Sequence, residues 1–204
     1  MNALIIVDVQ NDFLPGGALA VDQGDTIIEV INTLQNRFEL VVATQDWHPA
    51  GHKSFASAHP GKKVFESIHL NGMSQILWPD HCIQGSPGAA FSTQLDRKKI
   101  EAIFRKGMEK DIDSYSGFFD NGKKKATGMG AYLKGRGVTS LFVAGLAADF
   151  CVYFTALDGL GLGFESTIIS DATRAIDENA FQGTLKNFHA KGGKTIHSRS
   201  IPLP

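Results

Sequence analysis

With 204 residues, 43% of them hydrophobic and 20% charged, the chain has an ordinary globular composition rather than a disordered one. A formal net charge of −1 gives no electrostatic reason to expect nucleic acid or an anionic membrane as partner, and no apolar run is long enough to span a bilayer. Two cysteines, Cys82 and Cys151, are too few for a disulfide framework, so each is read as a free thiol.

The start, MNALIIVDVQNDF, carries no basic leader and its apolar run breaks at Asp8, so a cytoplasmic protein of one domain, residues 1–204, is expected. Ala3–Asp8 (ALIIVD) is a short continuous apolar run, the pattern of a parallel strand covered on both faces. In DTIIEVINTLQNRF, Ile27, Ile28, Ile31 and Leu34 fall on one helical stripe, with Asp25 as an acceptable N-terminal cap. Glu39–Asp46 (ELVVATQD), Ile100–Gly107 (IEAIFRKG) and Thr139–Gly145 (TSLFVAG) read as further strands. A helix follows near FCVYFTALDGLG, then strands at Ser166–Asp171 and Lys194–Ser198 separated by a helix near ENAFQGTLKNFHAKGG. This alternation predicts a three-layer α/β/α fold around a mostly parallel sheet of about six strands. The irregular stretch at about 48–92 is too apolar for simple disorder and is expected to be an ordered flap.

Ligands of open α/β sheets sit beyond the carboxyl ends of the strands. Asp8 ends the first strand, Asp46 and His48 follow the second, Lys106 ends the third, and Cys151 lies just past the fourth. One rim thus receives a carboxylate, candidate metal ligands, an ammonium and a thiol.

Each of these residues also has an ordinary structural explanation. Asp46 and His48, at i and i+2, leave extended backbone on the same side and suit a borderline divalent ion, but taken alone that short spacing is more often a solvated loop. A third ligand would decide, and His81 in LWPDHCIQG and His52 in HPAGH are the candidates; His59 and His69 read as surface residues. Cys151, after GLAAD at a strand-to-helix turn, would feel the helix dipole, which lowers a thiol pKa, while the free N–H groups of such a turn can hold an oxyanion. A buried inert thiol is the commoner fate of a lone cysteine, and Cys82 fits it, or else supports its neighbour His81. Lys106 could snorkel to water, or favour a neighbouring thiolate. Asp8 could cap a helix, or serve as base to the thiol. Phe13 and Trp78, in loops beside Pro15-Gly16-Gly17 and Pro79, could line a pocket for a flat substrate, although they and Tyr115 are of types more often found in cores. GLGLG (159–163) follows a helix rather than a strand, so it does not carry the mechanism of a nucleotide-binding loop. VDVQND lacks the second aspartate of a phosphatase start, because Gln10 stands there.

The blocks ALIIVDVQNDFLPGGALAV, TQDWHPAGHKSF, WPDHCIQGSPG, FRKG, DSYSGFFDNG and GLAADFCV occur in order from residue 1 to about residue 175. Together they resemble the bacterial nicotinamidase/pyrazinamidase branch of the isochorismatase-like cysteine hydrolases. The resemblance implies a catalytic triad of Asp8, Lys106 and Cys151, and metal ligands Asp46, His48 and His81. His52 matches a further ligand present in only some members. It implies aromatic walls from Phe13 and Trp78, with Tyr115 and Leu146 in the substrate pocket. A non-proline cis peptide at Leu146–Ala147 is implied as well, with the N–H groups of Ala147 and Cys151 facing an oxyanion. Ala148 stands where the family usually has threonine.

The activity implied is hydrolysis of nicotinamide to nicotinate and ammonia through a Cys151 thioester, in NAD salvage, with pyrazinamide as a second substrate. One divalent ion, zinc before manganese or iron, is the implied cofactor. The partner is a small molecule rather than nucleic acid or membrane, and a homo-oligomer is compatible with the resemblance. The alternative is a related amidase acting on another small carboxamide or ureido compound, which would lack the Asp46, His48 and His81 set.

Overall fold

The first apolar run forms strand β1 (Asn2–Val7) in the computed structural model, which describes residues 1–201. Residues 202–204, included in the single-domain expectation, lie outside the described residues. In chain order there follow α1 (Ile27–Leu34), β2 (Leu40–Asp46), a hairpin of β3 (Ser67–Leu70) and β4 (Met73–Ile76), and β5 (Ile100–Lys106). Then come α2 (Met129–Gly135), β6 (Ser140–Leu146), α3 (Tyr153–Gly161), β7 (Glu165–Arg174), α4 (Glu178–Ala190) and β8 (Lys194–Ile196). Among the described residues, no helix is long and apolar enough to cross a membrane.

Six strands make one sheet in the order β5-β2-β1-β6-β7-β8, every neighbouring pair parallel. Their side chains alternate between two cores, as the two-residue period of a strand requires. Leu4, Ile6, Val41, Ala43, Ala144 and Ile169 pack on one face with the α1 stripe Ile27, Ile28, Ile31 and Leu34. Ala3, Ile5, Val7, Leu40, Val42, Leu141 and Val143 pack on the other, with Met129 and Leu133 of α2, Tyr153 and Ala156 of α3, and Phe181 and Phe188 of α4. Both faces are therefore covered, which is why β1 and β2 read as continuous apolar runs instead of alternating ones.

From β1 the chain builds outward through β2 to β5, then returns to the far side of β1 with β6. That reversal is a topological switch point, where a crevice opens beyond the strand ends.

The sequence expectations are met in outline and differ in detail. Asp25 lies in a 3₁₀ turn, Gly24–Thr26, and no side chain caps α1. The flap carries the β3–β4 hairpin; within it Phe55, Leu77 and Trp78 are buried, whereas Phe65 is exposed. Helix α2, whose sequence MGAYLKG is short and glycine-rich, gave no clear apolar period.

Candidate active site

Strand β1 ends at Val7, and Asp8 turns out of the strand direction with φ 47°, a left-handed conformation uncommon for a residue with a Cβ. Such backbone persists where the surroundings over-determine it, and it concentrates at functional sites. Asp8 is fully buried; its Oδ1 accepts a hydrogen bond from Thr44 Oγ1 at 2.7 Å and its Oδ2 lies 2.9 Å from Lys106 Nζ. Lys106 also reaches Asp46 Oδ1 at 3.1 Å, Cys151 Sγ at 3.4 Å and the Ser114 carbonyl at 3.0 Å. One buried ammonium therefore joins the ends of β1, β2 and β5 to the thiol beyond β6. Cys151 sits in a single wide turn of π-helix, Ala148–Val152, that interrupts the passage from β6 to α3, a feature common at functional sites. The Leu146–Ala147 peptide is cis.

The electrostatics follow from burial. Burial raises the Asp8 carboxyl above its ordinary range, against Lys106 and Thr44, which favour the ionised form. Burial also opposes ionisation of Asp46, but the charges of His48 and Lys106 and hydrogen bonds from both imidazoles hold it well below that range. For Lys106 burial disfavours the charge, yet Asp46, Asp8 and Cys151 keep it well above the usual ammonium range. Burial pushes the Cys151 thiol well up, with Asp8, Asp46 and Asp113 acting in the same direction and Lys106 opposing them. The expectation that the helix terminus lowers this thiol is thereby corrected, because three carboxylates and desolvation act against it. The arrangement is a neutral thiol beside a carboxylate of raised basicity, suited to passing a proton as sulfur attacks.

Next to this cluster, Asp46, His48 and His81 bring one ligand atom each to within 4.8 Å of one another. The flap delivers His81 because it pairs with the chain leaving β2: the His48 N–H donates to the Cys82 carbonyl and the Gln84 N–H to the His48 carbonyl. Cys82 is held in turn through its N–H by Asp12 Oδ2 at 2.7 Å, and its own thiol is buried and pushed well up, first by burial and then by the nearby carboxylates. That is the inert cysteine the sequence suggested.

His48 Nδ1 lies 2.9 Å from the Gly107 carbonyl and His81 Nδ1 2.8 Å from the Pro79 carbonyl. Only an N–H satisfies a carbonyl, so Nδ1 of each ring faces away from the cluster as a donor and Nε2 is turned towards Asp46 Oδ2, at 2.9 and 3.4 Å. Nε2 meets that oxygen through a proton, or both nitrogens and the oxygen share a cation in its place. In addition, Asp46 Oδ1 is buried without a directed hydrogen bond. One carboxylate and two imidazoles, each oriented from behind by a backbone carbonyl, fit a borderline divalent ion such as zinc.

His52 is buried with its ring 4.4 Å from that of His48, but its Nδ1 meets Ser54 Oγ at 2.7 Å and its Nε2 the Glu109 carbonyl at 2.8 Å. The structure does not bring it into the converging set.

A cavity of about 320 Å³, its open mouth included, leads down to Cys151 and Ala147 between Phe13, Leu19 and Trp78. Tyr115, whose hydroxyl accepts from Trp78 Nε1 at 3.3 Å, and Phe150, 4.9 Å from the Trp78 ring centre, close one side. Leu146 is buried behind the wall and does not line the cavity. A larger hollow of about 510 Å³, lined by Lys106 among others, contains none of these aromatic residues nor Cys151.

Several contributors gave no signal in the sequence. Gln10 is fully buried and clamps Asp46 from both sides: its Oε1 accepts the Asp46 N–H at 2.8 Å, and its Nε2 donates to the Asp46 carbonyl at 2.8 Å. Asp149 accepts the N–H groups of Ile176 and Asp177, so Ile176 is drawn to the cavity mouth. Asp113 lines the cavity directly.

Against known proteins, the model of the isochorismatase domain matches residues 2–200. A nicotinamidase of Acinetobacter baylyi is 46% identical over 200 residues, which cover 98% of this chain and 94% of that one. Among solved structures, a nicotinamidase/pyrazinamidase of Acinetobacter baumannii superposes with a TM-score of 0.96 at 46% identity, covering 98% of both chains. A pyrazinamidase of Pyrococcus horikoshii in complex with zinc superposes with a TM-score of 0.79 at 36% identity, covering 96% of this chain and 98% of that one.

Proposed function

The chain belongs to the isochorismatase family, and we propose that within it this protein is a nicotinamide amidohydrolase that also accepts pyrazinamide. The observation that carries the reading is the buried set Asp8, Lys106 and Cys151, whose thiol lines an aromatic cavity, with Asp46, His48 and His81 converging beside it. The nicotinamidase and pyrazinamidase relatives support the choice of substrate.

In this reading Phe13 and Trp78 enclose the pyridine ring and leave its carboxamide over Cys151. Asp8 takes the thiol proton while Lys106 stabilises the ionised pair. The thiolate adds to the carboxamide carbon, and the N–H groups of Ala147 and Cys151 receive the oxyanion, a contribution of about 3 kcal/mol per donor. As the carbon–nitrogen bond breaks, Asp8 returns its proton to the nitrogen, which leaves as ammonia, and nicotinoyl remains on sulfur as a thioester. A water molecule deprotonated by Asp8 then adds to the thioester, sulfur leaves and regains that proton as the Cys151 thiol, and the nicotinic acid formed gives up its own proton to water to become nicotinate. Asp46, His48 and His81 would hold a divalent ion, which supplies a cationic anchor for the ring nitrogen and a site for water; the zinc complex of a relative favours zinc. Because the site draws on residues from Asp8 to Ile176, the chain acts as one functional unit with the 48–92 segment as part of its wall. Nicotinate production fits a role in NAD salvage.

Ammonia release from nicotinamide, pyrazinamide and benzamide tests the proposal. The first two should be hydrolysed, and benzamide, which lacks the ring nitrogen, should be much poorer. No ammonia from nicotinamide refutes the activity, and equal rates with benzamide refute recognition of the ring nitrogen.

A further inference from the structure

Asp113 has no part in the scheme above, yet it is 3% exposed and forms part of the cavity wall beside Cys151, Asp46 and Trp78. Its Oδ1 accepts the N–H of Ser114 at 2.7 Å and its Oδ2 accepts Gln75 Nε2 at 3.0 Å. No lysine, arginine or histidine pairs with it among the described residues, in contrast to Asp8 and Asp46. Its field is felt across the cavity, where it works against ionisation of the Cys151 thiol and the Tyr115 hydroxyl.

A buried carboxylate without a counter-charge is expensive to keep, and both its hydrogen bonds are of a kind that a neutral side chain could accept. The fold alone therefore gives no reason for a charge at this position. The reaction gives one. Its substrate is a neutral amide and its product a carboxylate of nearly the same shape, so shape alone distinguishes the two poorly. Asp8, Asp46 and Asp113 set three carboxylates against the single ammonium of Lys106, two net negative charges that one divalent ion would cancel. Without Asp113 the loaded site would carry a net positive charge and retain the acid.

We propose that Asp113 is a specificity-determining residue that disfavours the carboxylate product relative to the neutral carboxamide, and so promotes product release. The chemistry it selects against is an aromatic carboxylate bound with its carboxyl group over Cys151. Gln75, on the β3–β4 hairpin, holds Asp113 in place and also donates to the Tyr115 hydroxyl at 3.2 Å, so the hairpin sets where this charge stands.

The inference rests on the amidohydrolase reading, and its test separates the two. In steady-state assays of Asp113→Asn, inhibition by nicotinate should tighten about tenfold or more, the scale for neutralising a unit charge a few ångströms away at an effective dielectric near 20. The KM for nicotinamide should change much less. Asp113→Glu, which keeps the charge, should retain the wild-type ratio of the two constants, and calorimetric titration of nicotinate into each protein should report the same order. If Asp113→Asn fails to fold, Asp113→Ser removes the charge with a smaller side chain and is read in the same way. Nicotinate and nicotinamide constants moving by the same factor, or weaker nicotinate binding, would overturn the inference and leave Asp113 a packing residue. A wild-type protein that releases no ammonia overturns the amidohydrolase reading and this inference with it.

Discussion

Gly107, the residue after Lys106, tests how tightly the metal-ligand cluster is packed. Its φ is +66°, and a Cβ built on it would stand 2.4 Å from His48 Cε1, 2.7 Å from His48 Nδ1 and 2.9 Å from Asp46 Oδ1. Van der Waals contact requires separations of roughly 3.5 Å, so in Gly107→Ala the His48 ring must retreat by about 1 Å. It has nowhere to go: the ring is fully buried, bonded through Nδ1 to the Gly107 carbonyl itself, and edge-on to Phe55 at 5.4 Å and His81 at 5.0 Å. The left-handed backbone costs an alanine about 1–2 kcal/mol and the overpacking a further 1–3 kcal/mol, so a loss of about 2–5 kcal/mol is expected. Disturbing the partner that orients a ligating histidine should also weaken metal affinity roughly 10- to 100-fold. Gly85→Ala is the control, because Gly85 has φ +77° but nothing within 4 Å of its built Cβ. Thermal unfolding and chelator competition for zinc are measured on both variants. If Gly107→Ala were no less stable than Gly85→Ala and bound zinc within twofold of wild type, the packing deduced around His48 would be wrong.

Three further outcomes are expected. Thr44→Val keeps the side-chain volume but removes the donor to Asp8 Oδ1, so the acid limb of kcat/KM should move to higher pH, and an unmoved limb would mean that the limb does not report Asp8. The same variant should lose about 1–3 kcal/mol of stability for the unsatisfied oxygen. The sign follows because the folded Asp8 already titrates above its unfolded value: its contribution favours folding at low pH and fades as pH rises through the folded value, and losing the Thr44 donor deepens that fade. His81→Ala should lose both bound metal and activity, whereas His52→Ala should keep measurable amounts of each, since both nitrogens of His52 are already engaged; metal analysis beside the ammonia assay decides, and equal loss in the two would make His52 an essential ligand.

Much of this site could be read from local sequence because strand ends do two jobs. Asp8, Asp46, Lys106 and Cys151 stand where apolar runs stop, and in a parallel sheet those stops face one crevice. The D-x-H spacing was similarly legible, since residues two apart in extended backbone share a side. What escaped depends on contacts between segments remote in the chain. Gln10 acts on the backbone of Asp46, Thr44 on Asp8, and Asp113 reaches the cavity from a loop beyond β5; none has a sequence signature. The raised Cys151 thiol escaped for the same reason, because the carboxylates that oppose its ionisation come from three other segments. The β3–β4 hairpin and α2 were missed because each is short and only weakly periodic.

The account turns on a covalent nicotinoyl group at Cys151, and acid-quenched intact-protein mass spectrometry during nicotinamide turnover tests it most directly. A mass increase of one nicotinoyl group should appear, map by proteolysis to the peptide containing Cys151 and not to that of Cys82, and vanish in Cys151→Ala together with ammonia release. Steady ammonia release by a folded Cys151→Ala protein, with no adduct on any residue, would contradict the thioester and with it the role assigned to Asp8 and Lys106.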